Sequence, residues 1–212
     1  MPIITICHRT FSSRPQPFEI KIGFGLVASL SLVMLLSLTG CGGGEGPSVS
    51  ELTEQLSDAD GSQRYKAAKE LEQFGPEAAP AVEELGKLLS DPDPKIRYRT
   101  AKTLSKIGYS AEAVVDQLAQ SLSDQDSNVR YYAAKTIDEF ADKAGTAVPA
   151  LIKALSDSEP KVRYYAAKTL GKIGKDAEPA LGGLQQLVND DDESVRKAAE
   201  SAVRRIKKRI SS

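Results

Sequence analysis

The chain has 212 residues, 41% hydrophobic and 27% charged, a soluble globular composition with room for one ordinary domain and some additions. Its 28 Lys and Arg are matched by 29 Asp and Glu, so bulk charge gives no pull towards DNA or RNA. One His and two Cys exclude most acid/base, thiol and zinc chemistry, the more so because Cys7, His8 and Cys41 all fall within the first 41 residues. These counts point to a non-catalytic, cofactor-free binding or scaffold protein.

Residues 22–38, IGFGLVASLSLVMLLSL, form an uncharged run preceded by Arg9, Arg14 and Lys21 and followed by small residues, the layout of a secretory signal. Leu38, Thr39, Gly40 and Cys41 end the run and resemble the bacterial lipobox, in which a small residue at the cleavage point precedes a Cys whose sulfur takes a diacylglycerol. The resemblance implies a signal peptide over residues 1–40 and Cys41 as the lipidated first residue of the mature chain. It also implies a membrane-anchored place in the bacterial cell envelope, facing the periplasm or the exterior. The alternative is an uncleaved anchor, since 17 apolar residues nearly span a bilayer. Residues 41–48 then read as the lipidated Cys and a Gly-rich flexible tether. With Cys41 acylated, neither a disulfide nor a cysteine nucleophile is available. Removal of residues 1–40 leaves 25 basic and 28 acidic side chains.

The remainder, residues 49–212, is a tandem repeat. Leu56-Ser57-Asp58, Leu89-Ser90-Asp91, Leu122-Ser123-Asp124 and Leu155-Ser156-Asp157 recur with a step of 33, and Val188-Asn189-Asp190 makes a fifth, degenerate copy. Six residues after each Asp stands Arg64, Arg97, Arg130, Arg163 or Arg196. Each copy predicts two helices. The first carries a stripe such as Val115, Leu118, Leu122 or Val148, Leu151, Leu155; the second carries Val129, Ala133, Ile137, Phe140 or Val162, Ala166, Leu170, Ile173. Asp60, Asp93, Asp126 and Asp192 stand where they can cap the second helix, with Pro94 and Pro160 at its first position. Gly75, Gly108 and Gly174 fall where it should end. Two helices with so few apolar side chains cannot offset the entropy of ordering a single copy, so the copies must stack into an all-α solenoid of about five two-helix repeats. Small Ala134 and Ala167 let neighbouring second helices approach.

The pattern LSDxDxxVRxxAAxxL, with entries such as AVPALIKALSD at residues 147–157, resembles the HEAT repeat, in particular the short HEAT-like repeat first recognised in phycobilisome bilin lyases. The resemblance implies the fold and little about function. It also implies that Asp58, Asp91, Asp124, Asp157 and Asp190 form, with Arg64, Arg97, Arg130, Arg163 and Arg196, a hydrogen-bonded ladder between the turns of adjacent repeats. A bidentate guanidinium suits that task, and a catalytic pair would stand once in one cleft. The acidic run Asp190 to Glu193 lacks the alternating oxygen ligands and the Gly of a calcium loop.

Counting 100° per residue around the second helix, Tyr131 and Lys135 point almost directly away from the buried stripe centred near Ala133, as do Tyr65 with Lys69, Tyr98 with Lys102, and Tyr164 with Lys168. Tyr132 and Tyr165 lie on the flank, at the position of Lys66 and Arg99. Six of the seven tyrosines occupy these two positions, although a solvated helix face has no need of rings. The HEAT resemblance puts the face on the concave side. There the residues suit an extended, acidic or carboxylate-rich protein or peptide partner. The opposing interpretation is that each Tyr packs sideways on a Lys stem and only stiffens the array. The fifth copy, with Lys197, Ala198 and Ser201 at these positions, reads as a terminal cap, and the Arg- and Lys-rich tail from Val203 to Arg209 favours a helix C-terminus. Other functions weighed against a partner-binding scaffold are bilin-lyase-like ligand handling, a DNA glycosylase of HEAT-like fold, which export and the lack of a basic groove oppose, and a rigid spacer.

Overall fold

The computed structural model describes residues 46–212; the leader, the lipobox and Cys41 lie outside them. Five helix pairs follow one another: α1 (Val49–Gln55) with α2 (Gly61–Phe74), α3 (Val82–Leu88) with α4 (Pro94–Ile107), α5 (Val115–Ser121) with α6 (Ser127–Glu139), α7 (Val148–Ala154) with α8 (Pro160–Ile173), and α9 (Leu181–Leu187) with α10 (Glu193–Ile210). Among the described residues there is no strand, and no helix is long and apolar enough to cross a membrane. Tight 3₁₀ segments join the pairs, as at Gly75–Ala81 and Gly108–Val114, so each first helix keeps only seven residues.

Local chemistry sets the ends. Ser48 and Glu51 form a reciprocal capping box at α1, with the Ser48 N–H donating to Glu51 at 2.8 Å and the Glu51 N–H to Ser48 Oγ at 3.3 Å. Asp60, Asp93, Asp126 and Asp192 each accept the backbone N–H two residues on, at 2.8 to 2.9 Å. Glu159, at the same place before α8, makes no such bond. Gly75, Gly108 and Gly174 end α2, α4 and α8 with φ of 53°, 75° and 81°, a conformation that side chains resist. The third copy has Ala141 instead, and α6 stops at Glu139 with Phe140 at φ −123°, so the connection breaks into two short 3₁₀ turns.

Both predicted stripes face inward. Leu118, Leu122, Leu151 and Leu155 meet Val129, Ala133, Ile137 and Phe140 and their counterparts in one continuous core, while Val115 and Ile173 are half-buried at its edge. The five second helices pack on one another in succession, whereas α3, α5 and α7 touch only sparingly. Ala134 and Ala167 are fully buried at these contacts, and a Cβ on Gly171 would lie 2.7 Å from the Ala202 Cα. The second helices therefore make the close layer of the solenoid, and the face of that layer carries the tyrosines.

Candidate functional site

Along the turn edge, each Arg ties three pieces of chain together. Arg130 donates from Nε and Nη2 to the two Asp157 oxygens at 2.6 and 2.9 Å, and from Nη1 to the Asp124 and Gln125 carbonyls at 2.9 and 3.2 Å. Arg97 with Asp124 and Arg163 with Asp190 repeat the bidentate bond, while Arg64 reaches Asp91 through Nε alone at 2.8 Å. Each of these carboxylates also accepts the N–H two residues on, as Asp157 does from Glu159 at 2.9 Å. The series has open ends. Among the described residues, Arg196 bonds only the Asp190 and Asp191 carbonyls, and no Arg reaches the Asp58 carboxylate from a preceding copy. Burial opposes the charge on Asp124 and Asp157, but bonds from Arg97 and Arg130 outweigh it and hold both carboxyls below the usual range. At Asp190 the bond from Arg163 leads in the same direction.

The tyrosine face departs from the helical-wheel expectation. Tyr65, Tyr98, Tyr131, Tyr132, Tyr164 and Tyr165 are all half-buried and packed against the core, and ring pairs cross the seams from Tyr98 to Tyr132 and from Tyr131 to Tyr165. The small residues between second helices bring those helices within reach of a ring, and an amphipathic phenol covers apolar surface sooner than it faces water. The result is a zigzag: Tyr98 to Tyr132 at 5.8 Å, Tyr132 to Tyr131 at 4.9 Å, Tyr131 to Tyr165 at 5.7 Å and Tyr165 to Tyr164 at 5.1 Å, all edge-to-face. Sideways packing is thus present, with part of each ring still open. Burial pushes the Tyr132 and Tyr165 phenols up.

A register runs through this face. In the second, third and fourth copies the flank residue covers the Tyr of the copy before it. Arg99 lies 5.2 Å over the Tyr65 ring and donates to its hydroxyl at 2.9 Å; Tyr132 meets Tyr98, and Tyr165 meets Tyr131.

Among the cations, the structure separates two kinds. Lys102 is bound to Glu72 at 2.9 Å, beside Arg99 at 2.7 Å; Lys168 and Lys172 are bound to the buried Asp138 at 2.7 and 3.0 Å. Burial disfavours the Glu72 carboxylate, yet Lys102 and Arg99 hold it below the usual range. Lys69 is exposed, Lys135 lies 6.0 Å from the Tyr132 ring, and Lys161 lies 5.8 Å from the Tyr131 ring; among the described residues none of the three has an ion-pair partner. Glu72 and Asp138 do not stand out on a helical wheel. The signal available was their spacing, two repeats apart at one helix position, opposite Lys102 and Lys168.

The face is grooved at its C-terminal half. A hollow of about 490 Å³ lies between Tyr98, Asn128, Tyr132 and Lys161, and it adjoins a larger one of about 680 Å³ between Tyr131, Tyr164, Lys161, Lys197 and Ala198. Among the described residues, no group of three or more His, Cys, Asp or Glu side chains is placed to hold a metal.

HEAT repeats match residues 49–125 and 115–204, three-quarters of the chain. No curated protein has a matching sequence. An engineered protein of known structure is 28% identical over 76% of this chain and 79% of its own, with a TM-score of 0.66. The complex of CpcE and CpcF of phycocyanin lyase from Nostoc sp. PCC7120 is 25% identical over 82% of this chain and 70% of that one, TM-score 0.63. A designed armadillo repeat protein in complex with the peptide (KR)4 shares the fold at 20% identity, over 74% of this chain and 81% of that one, TM-score 0.65. The protein therefore belongs to the HEAT-repeat family, as an all-α solenoid with repeats like those of the phycocyanin lyase structure.

Proposed function

We propose that the protein is a non-catalytic, membrane-anchored scaffold that holds an extended protein or peptide along the face of its second helices. The observation that carries this reading is the zigzag of half-open tyrosine rings beside Lys135 and Lys161, with Lys69 exposed on α2, cations that no internal carboxylate engages among the described residues. Rigid rings with an apolar body and a polar tip are the usual anchors of protein interfaces. The unpaired cations favour acidic residues in the partner, though Lys102 and Lys168, already bound to Glu72 and Asp138, add less to that preference than the sequence suggests. A repeat solenoid is a fold suited to such binding, and the designed armadillo relative has its peptide bound. Attachment to the envelope rests on the lipobox-like residues Leu38 to Cys41.

A second reading follows from the likeness to the phycocyanin lyase chains: handling of a small organic ligand, for which the 680 Å³ hollow has room. Photo-crosslinking in cells separates the two. A crosslinker at position 69 or 135 is expected to capture a polypeptide that Lys161→Glu weakens, whereas one at exposed position 87 or 153 on the first helices captures none. Equal capture from both faces, or capture from neither, overturns the scaffold reading. Cys41→Ser is expected to release the protein from the membrane fraction; a variant still retained there removes the anchor.

A further inference from the structure

The ladder of rings lacks one rung. Tyr65 is covered by Arg99, Tyr98 by Tyr132 and Tyr131 by Tyr165, each 34 residues further on. Tyr164 is due to be covered by residue 198, which is Ala. Among the described residues, no ring contact and no cation over the ring joins α10 to Tyr164, which meets only Tyr165 at 5.1 Å and Lys168 at 6.0 Å. The 680 Å³ hollow opens at this place, with Ala198 in its wall.

The surroundings say which kind of group fits. Where the rung is a guanidinium, at Arg99, the same helix that offers the ring also offers the Glu72 carboxylate, 2.7 Å away. The position equivalent to Glu72 beside Tyr164 is Gly171, packed against Ala202, so the carboxylate that holds Arg99 over Tyr65 has no counterpart there; the carboxylate in the wall of the hollow, Asp192, already accepts the Ser194 and Val195 N–H groups as the cap of α10. Where the rung is Tyr132 the equivalent position is Ser105, and where it is Tyr165 that position is Asp138, already held by Lys168 and Lys172; in both an edge-to-face pair suffices. The cation side is also supplied already, by Lys168 over Tyr164 and Tyr165 and by Lys161 over Tyr131.

We infer that the hollow between α8 and α10 is an aromatic-anchor site: a Tyr or Phe side chain of the bound polypeptide inserts beside Ala198 and completes the ladder edge-on against Tyr164. This deepens the scaffold reading and rests on it, by fixing one contact of the partner and its register along the face. An aromatic ring gains burial and an edge-to-face pair there, whereas an aliphatic side chain gains burial alone.

The test uses the full chain labelled with ¹³C at alanine methyl groups, titrated with N-acetyl-tyrosinamide, N-acetyl-phenylalaninamide, N-acetyl-leucinamide and N-acetyl-argininamide. The expected result is a saturable upfield shift of the Ala198 methyl with the two aromatic probes, at least several-fold weaker with the other two. Ala198→Tyr, which supplies the rung from within, is expected to abolish the response while the protein melts no lower than wild type. Tyr164→Leu, which keeps bulk and removes the ring, is expected to erase the preference for aromatic probes. Equal response to all four probes, or no saturable shift at Ala198, overturns the inference. Shifts at Ala133 and Ala134 without one at Ala198 would overturn it too, yet leave a binding face elsewhere on the second helices, and so separate this failure from failure of the scaffold reading.

Discussion

At the turns, Arg97, Arg130 and Arg163 make the same bidentate bond to the next repeat, whereas two residues further along each helix the flank position changes from Lys66 to Arg99, Tyr132, Tyr165 and Ala198. The difference follows from what each place must satisfy. A buried carboxylate with a backbone N–H on one side and two guanidinium nitrogens on the other admits no substitute, because any change leaves a charge without its partner. A seam beside a half-open ring needs only something flat or small, so it tolerates change from copy to copy. Uniformity at the turns holds the copies in register. Variety at the seams makes one stretch of the face chemically distinct from the next.

Cutting the turn ladder should have the largest effect. Asp157→Ala strands Arg130 and the Glu159 N–H together, and is expected to cost about 3 kcal/mol in urea unfolding. A loss under about 1 kcal/mol, the level of an exposed pair, would place the ladder with surface salt bridges. Acid comes next. Asp124, Asp157 and Asp190 have folded pKa values below their unfolded ones, so their contribution is complete above the unfolded value of about 4 and is lost as pH falls through the lower folded values. Unfolding free energy should fall steeply below about pH 4, less so in Asp157→Asn than in wild type. The seam should respond least. Tyr131→Ala, which breaks contacts with Tyr132 and Tyr165, is expected to cost about 1–2 kcal/mol by thermal or urea unfolding. Tyr131→Phe keeps the ring and should stay within about 0.5 kcal/mol of wild type. If Tyr131→Ala costs as much as Asp157→Ala, the contrast between turn and seam fails.

The architecture was legible because it is written five times: the fixed step placed both helices, the Asp caps and the glycines at positive φ. Where the repeat falters, so does the reading, as at Ala141, where a missing Gly changed how α6 ends. The site was legible by position and not by orientation. A helical wheel treats one helix in isolation, and the tilt of Tyr131 towards Tyr165 depends on a neighbour that only packing supplies. The split among the lysines was hidden for the same reason: Glu72 and Asp138 pair with Lys102 and Lys168 across a seam about one repeat away in sequence.

The unbroken step of 33 residues has a further effect on how such an array can change. A chain that gained or lost one entire module would re-form every Arg-to-Asp link, since each junction is built alike. A single residue added inside a second helix would instead rotate everything beyond it by about 100° and pull the guanidinium off its carboxylate. Reach can thus grow or shrink in whole units, with the remaining units untouched.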